Sequence, residues 1–405
     1  MANRTLTSDI IAAEALMLLE NNLVMSNLVH RAEDEFTTVN GYRVGDTVNI
    51  RKPAQFEVRE GATAAPQDVV EGKMPLVVDT QAGVDFQFTT KDLTLSIKDL
   101  SQRVMKPAMI KLGNYLDSKL MDLYKHVPNW VGTPGQTINS FSDFAVATQR
   151  MDDLAIPMDD RAAVLAPADF WGMLGSQTAL YIQDAARGAY REGSLGKIGG
   201  VDTYMAQNIS SHTVGSDNSG TVNQAVTTAT LSYDDIKDND QQTITSSSVT
   251  FNAGDVFTIG AIGAGVQEVN PVTKATMPFL KQFRVVSYAS NSLVFSPAII
   301  WTGPFQSAAV VGVTDLNTLA ITGVGTNSTL YRQNLMFHRN AFALACVPME
   351  KPAGAVDVAR KTYKGLSVRV VPYYDGANDI SNYRLDILFG VKAIDPRLAV
   401  RVSGT

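Results

Sequence analysis

Two glycine-rich segments are the part of this chain that comes nearest to a nucleotide-binding site. Residues 260–265 read Gly-Ala-Ile-Gly-Ala-Gly, which reverses the GxGxxG fingerprint that holds pyrophosphate at a helix N-terminus. Residues 266–271 show no helical pattern, so we expect a β-turn instead. Residues 193–200 contain a Gly-Lys pair, but Ile198 stands where a P-loop needs Ser or Thr to hold Mg²⁺. Neither segment predicts a nucleotide site.

Two short segments match motifs of serine enzymes of the β-lactamase type. Ser194 and Lys197 fit the SxxK spacing, and residues 216–218 read Ser-Asp-Asn. A β-lactamase-type site would place that serine on a helix and add a later Lys-Thr-Gly, which this sequence lacks. We therefore interpret both matches as coincidences.

The titratable side chains form neither a metal-binding pattern nor a catalytic one. The carboxylate pairs at 152–153 and 159–160 flank a predicted helix end and are expected to be solvated, whereas acid–base catalysis needs a pocket that separates their pKa values. Cys346 is the single cysteine, which excludes an intrachain disulfide. Four isolated histidines are expected to be surface or satisfied core residues: His30, His126, His212 and His338. We expect a protein that is not an enzyme and holds no cofactor or metal.

The composition indicates a multi-domain globular chain. With about 150 residues per domain, 405 residues predict two or three domains. Charged residues make up only 18%, below the typical ~25%. This low fraction indicates either surface buried against other chains or a β-rich domain full of Ser and Thr. The net charge of −6 argues against a nucleic-acid binder with a basic face, although not against a container for nucleic acid.

The start of the chain and its hydropathy bear on its location. Residues 1–4, Met-Ala-Asn-Arg, lack the apolar segment of a signal peptide. No stretch approaches the ~18 continuous apolar residues of a membrane span. We therefore expect a protein that is cytoplasmic at synthesis and has no membrane partner.

The first twenty residues predict a short amphipathic helix. Thr7 and Ser8 are candidate N-caps, because their hydroxyls accept hydrogen bonds from amides that the first turn leaves unpaired. The apolar residues that follow share one face: Ile10, Ile11, Ala15, Leu18 and Leu19. This stripe needs a partner, either the core of its own chain or a neighbouring subunit.

Residues 40–92 read as an extended arm around a small, polar tip. Val84, Phe86 and Phe88 alternate with polar residues, which is typical of a half-buried strand. Residues 60–68 cannot pack a core. The pattern predicts a two-stranded arm, which is marginally stable alone and therefore lies on a partner.

Charged residues on this arm are candidates for contacts between chains. Mixed charges along a ribbon suit another protein surface, with an ordinary solvated face as the alternative. The candidates are Arg51, Lys52, Arg59, Glu60 and Asp68.

Residues 99–126 predict one long helix with a core-facing stripe. Apolar residues from Met109 onwards repeat at spacings of three and four. Pro107 is expected in the first turn or at a kink, because a proline deep inside a helix removes a hydrogen bond. Pro128 lies where a stop signal is expected.

The remaining chain predicts an α/β region that a β-rich segment interrupts. Residues 141–212 indicate helices from Phe144 and Pro167 and strands at 162–165 and 201–205. From 213 to 329 short apolar runs recur between turn residues, which indicates a small all-β barrel or sandwich. Mixed patterning resumes after it. We therefore expect an insertion at a loop whose two ends lie close together.

The order of elements and several runs of residues resemble the coat proteins of P22-like tailed phages. That family has the HK97-like capsid fold with an inserted β-barrel domain, so the resemblance implies an α+β fold class. The runs that carry it are residues 166–170, 187–201, 253–259, 282–286, 296–297, 338–342 and 384–391.

The resemblance implies a division of the chain into capsid domains. The expected domains are an N-terminal arm (1–39), an E-loop ribbon (40–92), a spine helix with P-domain (93–133 and 376–405), an A-domain (134–212 and 330–375) and an inserted barrel (213–329). The family's charged barrel loop, which pairs subunits across two-fold axes, has only a short counterpart at 234–240. Its residues Asp234, Asp235 and Lys237 join the contact candidates.

By the same resemblance, the chain is expected to be a major capsid protein. Such subunits form hexamers and pentamers of an icosahedral shell in the host bacterial cytoplasm, around a scaffolding protein. The implied partners are further copies of the chain, a portal at one vertex, dsDNA held without sequence specificity and a decoration protein. An encapsulin-like shell around an enzyme cargo is the alternative, although those shells usually lack a large insertion. A third hypothesis is an enzyme with an α/β domain, which would need a pocket of titratable groups that the sequence does not indicate.

Overall fold

The structure, a computed structural model, is mixed α+β. It describes residues 8–20, 23–31, 47–52, 56, 66, 68–69, 71–89, 104–179, 195–225, 236–303, 305–352, 358–363 and 365–405. The α-helices in these ranges are α1 (Ser8–Glu20), α2 (Met25–Leu28), α3 (Lys106–Met121), α4 (Phe141–Asp153) and α5 (Pro167–Ala179). Short 3-10 helices cover Asp122–His126, Arg339–Ala341 and Pro396–Leu398.

Most of the strands in the same ranges are short, and most of them lie after residue 195. The first eight are β1 (His30–Arg31), β2 (Thr47–Arg51), β3 (Lys73–Val77), β4 (Thr80–Thr89), β5 (Asn129–Val131), β6 (Arg161–Leu165), β7 (Lys197–Ile198) and β8 (Val201–Met205). The next eleven are β9 (Ser211–Thr213), β10 (Ser219–Val222), β11 (Gln242–Ser247), β12 (Val256–Ala261), β13 (Ala264–Val269), β14 (Thr276–Leu280), β15 (Phe283–Ala289), β16 (Ser292–Ser296), β17 (Ala308–Val311), β18 (Ala320–Gly323) and β19 (Leu330–Arg332). The last six are β20 (Asn334–His338), β21 (Phe342–Cys346), β22 (Ala359–Tyr363), β23 (Leu366–Asp375), β24 (Ile380–Ala393) and β25 (Ala399–Val402).

The chain folds as two compact units, each made of several segments. The first unit comprises Met1–Asn49, Pro75–Met121 and Phe342–Lys392, and the second comprises Ile50–Met74, Asp122–Ala341 and Ala393–Thr405. Strand pairing accounts for this grouping, because β23 and β4 both join β24 in the first unit, whereas β25 lies between β5 and β20 in the second. The expected division into capsid domains stays a prediction.

Strand β4 in the first unit has the predicted alternation but an unexpected partner. Val84, Phe86 and Phe88 lie on its half-buried face, which confirms the strand. Ten registered pairs join it antiparallel to β24, from Thr80 opposite Phe389 to Thr89 opposite Ile380. Within the described residues, the two-stranded ribbon therefore consists of β2 paired with β3. A period of two marks which face of a strand is buried and carries no information about its neighbour.

Helix α3 carries the predicted apolar stripe. Met109, Leu112, Leu116 and Leu120 are all buried, and Pro107 is the second residue of the helix, in its first turn as expected. Residues 99–103 of the prediction lie outside the described ranges.

Helix α1 packs within its own unit, against α3, β22 and β23. Its buried stripe includes Ile11, Ala15 and Leu19, so of the two expected partners the core of the chain itself is confirmed. Asp117 of α3 also holds the following segment, because its carboxylate accepts hydrogen bonds from the Val24 amide at 2.7 Å, the Ser26 amide at 3.0 Å and the Ser26 hydroxyl at 2.6 Å.

The second unit is built on a six-stranded sheet, the host sheet, in the order β5-β25-β20-β6-β8-β7. Strand β6 is buried at all five positions, since it lies between antiparallel β20 and parallel β8. Helix α4 begins in a capping box, in which the Ser140 hydroxyl accepts from the Asp143 amide and the Asp143 carboxylate accepts from the Ser140 amide. The predicted alternation of helices and strands over 141–212 is confirmed.

The inserted segment forms a closed barrel. Its six strands follow the ring β12-β15-β16-β11-β10-β18, and β18 pairs again with β12. Strands β13, β14 and β17 extend the sheet beyond the ring. Phe257 lies at the centre of the barrel core, with its ring 5.5 Å from Phe251, 5.6 Å from Phe283 and 5.7 Å from Phe295. The prediction of an all-β module is confirmed.

A two-stranded stem joins this barrel to the host sheet. Strands β9 and β19 pair antiparallel, with Ser211 opposite Arg332. Beyond them the Gln333 amide donates to the Ser210 carbonyl at 3.0 Å. The two ends of the insertion therefore lie side by side, as expected.

Candidate functional site

The glycine-rich segments have structural roles. Gly260 and Gly265 face each other in the hairpin between β12 and β13, where a Cβ on Gly260 would come within 2.5 Å of the Gly265 Cα. The segment is thus a β-turn of the barrel, as expected. Lys197 lies in the short strand β7 before a turn at Gly199 and Gly200, and Ser194 lies outside the described residues.

Two of the four histidines are satisfied core residues, as expected. His212 is buried between two polar side chains, and His338 is buried with its Nδ1 accepting from the Asn340 amide at 3.2 Å. The described ranges contain no cluster of three His, Cys, Asp or Glu side chains that would suit a metal ion. Of the helices in those ranges, none is both long and apolar enough to cross a membrane.

One of the acidic pairs is more than a solvated surface. Asp152 accepts from the buried Arg161 at 2.8 Å, and Arg161 also donates to the Pro157 carbonyl at 2.7 Å. The expectation of simple solvation was therefore incomplete, because a buried guanidinium needs a counter-charge. This pair closes the turn before β6 and has the geometry of a structural contact.

The barrel joins the host through a buried chain of polar groups. His212 Nε2 lies 2.7 Å from Asp255 Oδ1, and His212 Nδ1 lies 3.1 Å from the Tyr124 hydroxyl. A carboxylate only accepts, so Nε2 carries the hydrogen of the contact with Asp255. Asp255 also accepts from the Gly215 amide at 3.0 Å and the Asn252 amide at 2.7 Å. The chain fixes the barrel to the 3-10 helix that follows α3.

Arg401 fills the same junction from the host side. Its side chain is fully buried, and Nη1 donates to the Gly254 carbonyl at 2.8 Å. Its guanidinium lies 5.2 Å from the Tyr124 ring and 5.6 Å from the Trp130 ring, within the range of cation–π attraction. Burial lowers the pKa of Arg401 to about 9, which leaves it charged at neutral pH. Burial likewise raises the pKa of Tyr124 to about 12.

The barrel also completes an edge of the host sheet. Gln282 accepts from the Trp130 amide at 2.7 Å and donates to the Trp130 carbonyl at 2.8 Å. Trp130 lies in β5, the edge strand, so one side-chain amide pairs with its backbone as a neighbouring strand would. We call this set the barrel junction: Tyr124, Trp130, His212, Asp255, Gln282 and Arg401.

The predicted contact residues divide between described and undescribed segments. Arg51 forms a 3.7 Å ion pair with Glu71 on the ribbon, where both side chains are largely exposed, and Asp68 is exposed. Lys52 Nζ donates to the Lys237 carbonyl at 3.1 Å, which brings two of the candidates together. Arg59, Glu60, Asp234 and Asp235 lie outside the described residues.

Exposed apolar side chains mark further surfaces in each unit. The second unit exposes large apolar residues at Phe141, Met158, Trp171, Tyr204 and Met205, and the first exposes them at Met17, Tyr115, Tyr373 and Tyr374. Groups of exposed apolar residues are typical of surfaces that bind other proteins.

Most of the barrel junction was not predicted from the sequence. His212 was predicted only as an isolated histidine, and Asp255 stood only within a run that resembles the coat-protein family. Arg401 gives no local signal, because its aromatic neighbours lie about 270 positions earlier in the chain.

Comparison with known proteins agrees with this structural character. The family described as P22 coat protein, gene protein 5, matches residues 1–404. The major capsid protein of Acyrthosiphon pisum secondary endosymbiont phage 1 is 21% identical over 385 residues, 89% of each chain. A structure from Mycobacterium phage Che8 matches with 12% identity and a TM-score of 0.49, covering 94% of this chain and 90% of that one. The CUS-3 coat protein I-domain matches with 27% identity and a TM-score of 0.20, covering 27% of this chain and 96% of that domain. Because the family match spans nearly every residue, the chain belongs to the P22 coat protein family.

Proposed function

We propose that this chain is the repeating subunit of a tailed-phage capsid, assembling as hexamers and pentamers into an icosahedral shell around the packaged genome. The family match over residues 1–404 carries the proposal. The closed barrel counts against the encapsulin-like alternative, whose shells usually lack such an insertion.

The arrangement of the described residues supports a structural role. Polar groups that could have done chemistry, such as His212 and Asp255, are buried in a junction and paired with one another. Apolar side chains such as Trp171 and Tyr204 are exposed instead. Weak contacts through such surfaces become strong in a closed symmetric shell, because each subunit makes several of them at once.

The HK97-like assignment gives each segment a role in the shell. The ribbon of β2 and β3 would be the E-loop, lying over the adjacent subunit, with Arg51 and Asp68 among its contacts. Helix α3 would be the spine, and residues 134–212 and 330–375 would form the domain that closes each capsomer. The barrel would stabilise the subunit before and during assembly.

The proposed partners follow from the same role. Assembly in the host cytoplasm would use a scaffolding protein and a portal at one vertex, with a decoration protein as a later addition. Packaged dsDNA would be held without sequence specificity, and a net charge of −6 would let it slide past the wall. Strongly salt-dependent DNA binding by isolated subunits would contradict that account.

Electron microscopy of the chain, expressed alone and together with its neighbouring phage genes, tests the proposal. We expect closed shells of uniform diameter when the neighbouring genes are present. A chain that stays monomeric under both conditions would overturn the assignment.

Deleting residues 60–68 should leave the melting temperature of the monomer unchanged and impair shell formation, whereas an unfolded monomer would contradict the ribbon assignment.

A further inference from the structure

The turn at residues 236–240, which we call the bracket turn, is fixed firmly to the barrel. Ile236 is buried against Ala298 and Ile300. The Asn239 and Asp240 amides donate back to the Ile236 carbonyl at 3.0 and 2.6 Å. Asp240 also accepts from the Ala298 amide at 3.2 Å. The turn is therefore a defined element of the barrel surface.

The bracket turn contacts the ribbon of its own chain at two points. The Lys73 amide donates to Asp238 Oδ1 at 3.0 Å, and Lys52 Nζ donates to the Lys237 carbonyl at 3.1 Å. Both ribbon residues lie at the outer end of the β2–β3 ladder, where the Lys52 amide donates to the Gly72 carbonyl at 2.8 Å. The turn thus contacts both strands where their regular pairing ends.

Charge favours the same contact. Burial raises the pKa of Asp240, and the nearby cations Arg397, Lys52 and Lys281 oppose that rise. The Lys52 ammonium therefore lies in the field of the partly buried Asp240 carboxylate as well as against the Lys237 carbonyl. The Lys73 amide and the Lys52 ammonium, both hydrogen-bond donors, thus face a turn that presents a carbonyl and two carboxylates.

We propose that the bracket turn holds the outer end of the β2–β3 ladder in its own subunit and sets the direction of the ribbon relative to the barrel. A two-stranded ribbon is marginally stable alone, so its direction must be fixed by what it contacts. Fixing it in the free subunit lowers the entropy lost when the ribbon meets a neighbouring chain, a consequence that rests on the proposed function.

This inference differs from the role that the family resemblance suggests for residues 234–240, contact across a two-fold axis. In the described conformation, the Asp238 carboxylate accepts a hydrogen bond from the same chain. A contact with another subunit through that carboxylate would have to compete with the Lys73 amide.

Hydrogen exchange of the full, unassembled chain tests the bracket directly. In Asp238→Ala the Lys73 amide loses its acceptor, and we expect its exchange to accelerate about tenfold, the usual consequence of losing one hydrogen bond to a charged group. Asp238→Asn keeps an acceptor oxygen and should retain most of the protection. Asn239→Ala, whose side chain contacts Gln241 within the turn, is the matched control and should leave Lys73 unchanged.

Two results would overturn the inference. One is unchanged Lys73 exchange in Asp238→Ala while the barrel strands stay protected. The other is Lys73 protection that exists only in assembled shells, which would place the contact between subunits.

Assembly is measured separately: Asp238→Ala should need a several-fold higher protein concentration to form shells. If the wild type forms no shells while Lys73 responds as expected, the shell assignment fails and the bracket stands.

Discussion

The inserted barrel and the host sheet are both made of short strands, but they end differently. The barrel closes when β18 pairs with β12, so its ring has no free edge. The host sheet stays open, and β8 exposes Tyr204 and Met205 near one side of it. Closed sheets avoid unwanted pairing, whereas open sheets offer surfaces to other chains. We therefore expect the barrel to contribute more to stability and the host sheet more to contacts between subunits.

The packing of aromatic residues shows the same difference. In the barrel, Phe257, Phe283 and Phe295 are completely buried around one centre. In the host, Phe141 is 51% exposed and Trp171 is 55% exposed. Substitutions that separate folding from assembly should therefore act differently in the two regions.

The largest effect is expected from Phe257→Ala in the barrel core. Removing a fully buried ring leaves a cavity and should lower the free energy of unfolding by about 3–5 kcal/mol. Phe141→Ala is the matched control, with an expected change below about 0.5 kcal/mol, because the ring is half exposed. Urea unfolding measures both. Equal losses in the two variants would contradict the comparison.

The next effect is expected at the barrel junction. Asp255→Ala leaves the His212 ring and the Gly215 and Asn252 amides without this acceptor, which should cost about 3 kcal/mol. Calorimetry should also show the barrel and the host unfolding at separate temperatures. Asp217→Ala, on a half-buried barrel loop, is the control. A single unfolding transition of Asp255→Ala at the wild-type melting temperature would show that the junction does not couple the barrel to the host sheet.

Alkaline pH should loosen the same junction. The pKa of Tyr124 is raised from 10 to about 12 by burial, so the folded state holds the phenolic proton more tightly. This contribution is complete below about pH 10 and is lost as the pH rises through about 12, up to about 2.7 kcal/mol for two pKa units. Tyr124→Phe should flatten the dependence of unfolding free energy on pH in that window. An equally steep dependence in the variant would assign the alkaline loss to other groups.

The smallest effect on stability is expected on β8, next to the open edge of the host sheet. Replacing Tyr204 and Met205 together by serine should change the free energy of unfolding by less than about 1 kcal/mol, since both side chains are partly exposed. Shell yield, counted by electron microscopy, should nevertheless fall. The double replacement of Ile262 and Val272 by serine, on exposed barrel positions, is the control. Normal shell yield in the Tyr204 and Met205 variant would remove this edge from the contact surfaces.

Local patterns predicted the elements but not their partners. The stripe of α3 and the short runs of the barrel are visible in the sequence because burial repeats with the period of a helix or strand. The pairing of β4 with β24 joins segments about 300 positions apart, and the alternation of Phe86 and Phe88 fits any partner equally well. The strand at 84–88 was therefore predicted correctly and its partner was not.

The barrel junction was beyond sequence reasoning for a different reason. Arg401 lies in an apolar strand, where a lone charge suggests only an exposed position. It is buried because the Tyr124 and Trp130 rings and a barrel carbonyl surround it, and each comes from a distant segment. No spacing within the sequence encodes such an environment. The bracket turn was found only as a charged segment, and its partner in the ribbon was not predicted.

Because the two ends of the insertion lie side by side in the stem of β9 and β19, the whole barrel could be replaced by another domain. Since Gln333 bonds to Ser210, a linker of about three residues would span the gap left by excising everything between them, adjacent strands being ~5 Å apart. Recombination between phage genes at this point would exchange one insert for another without shifting the register of β8 or β20. A foreign domain with neighbouring termini, grafted at the same site, would be displayed once per subunit.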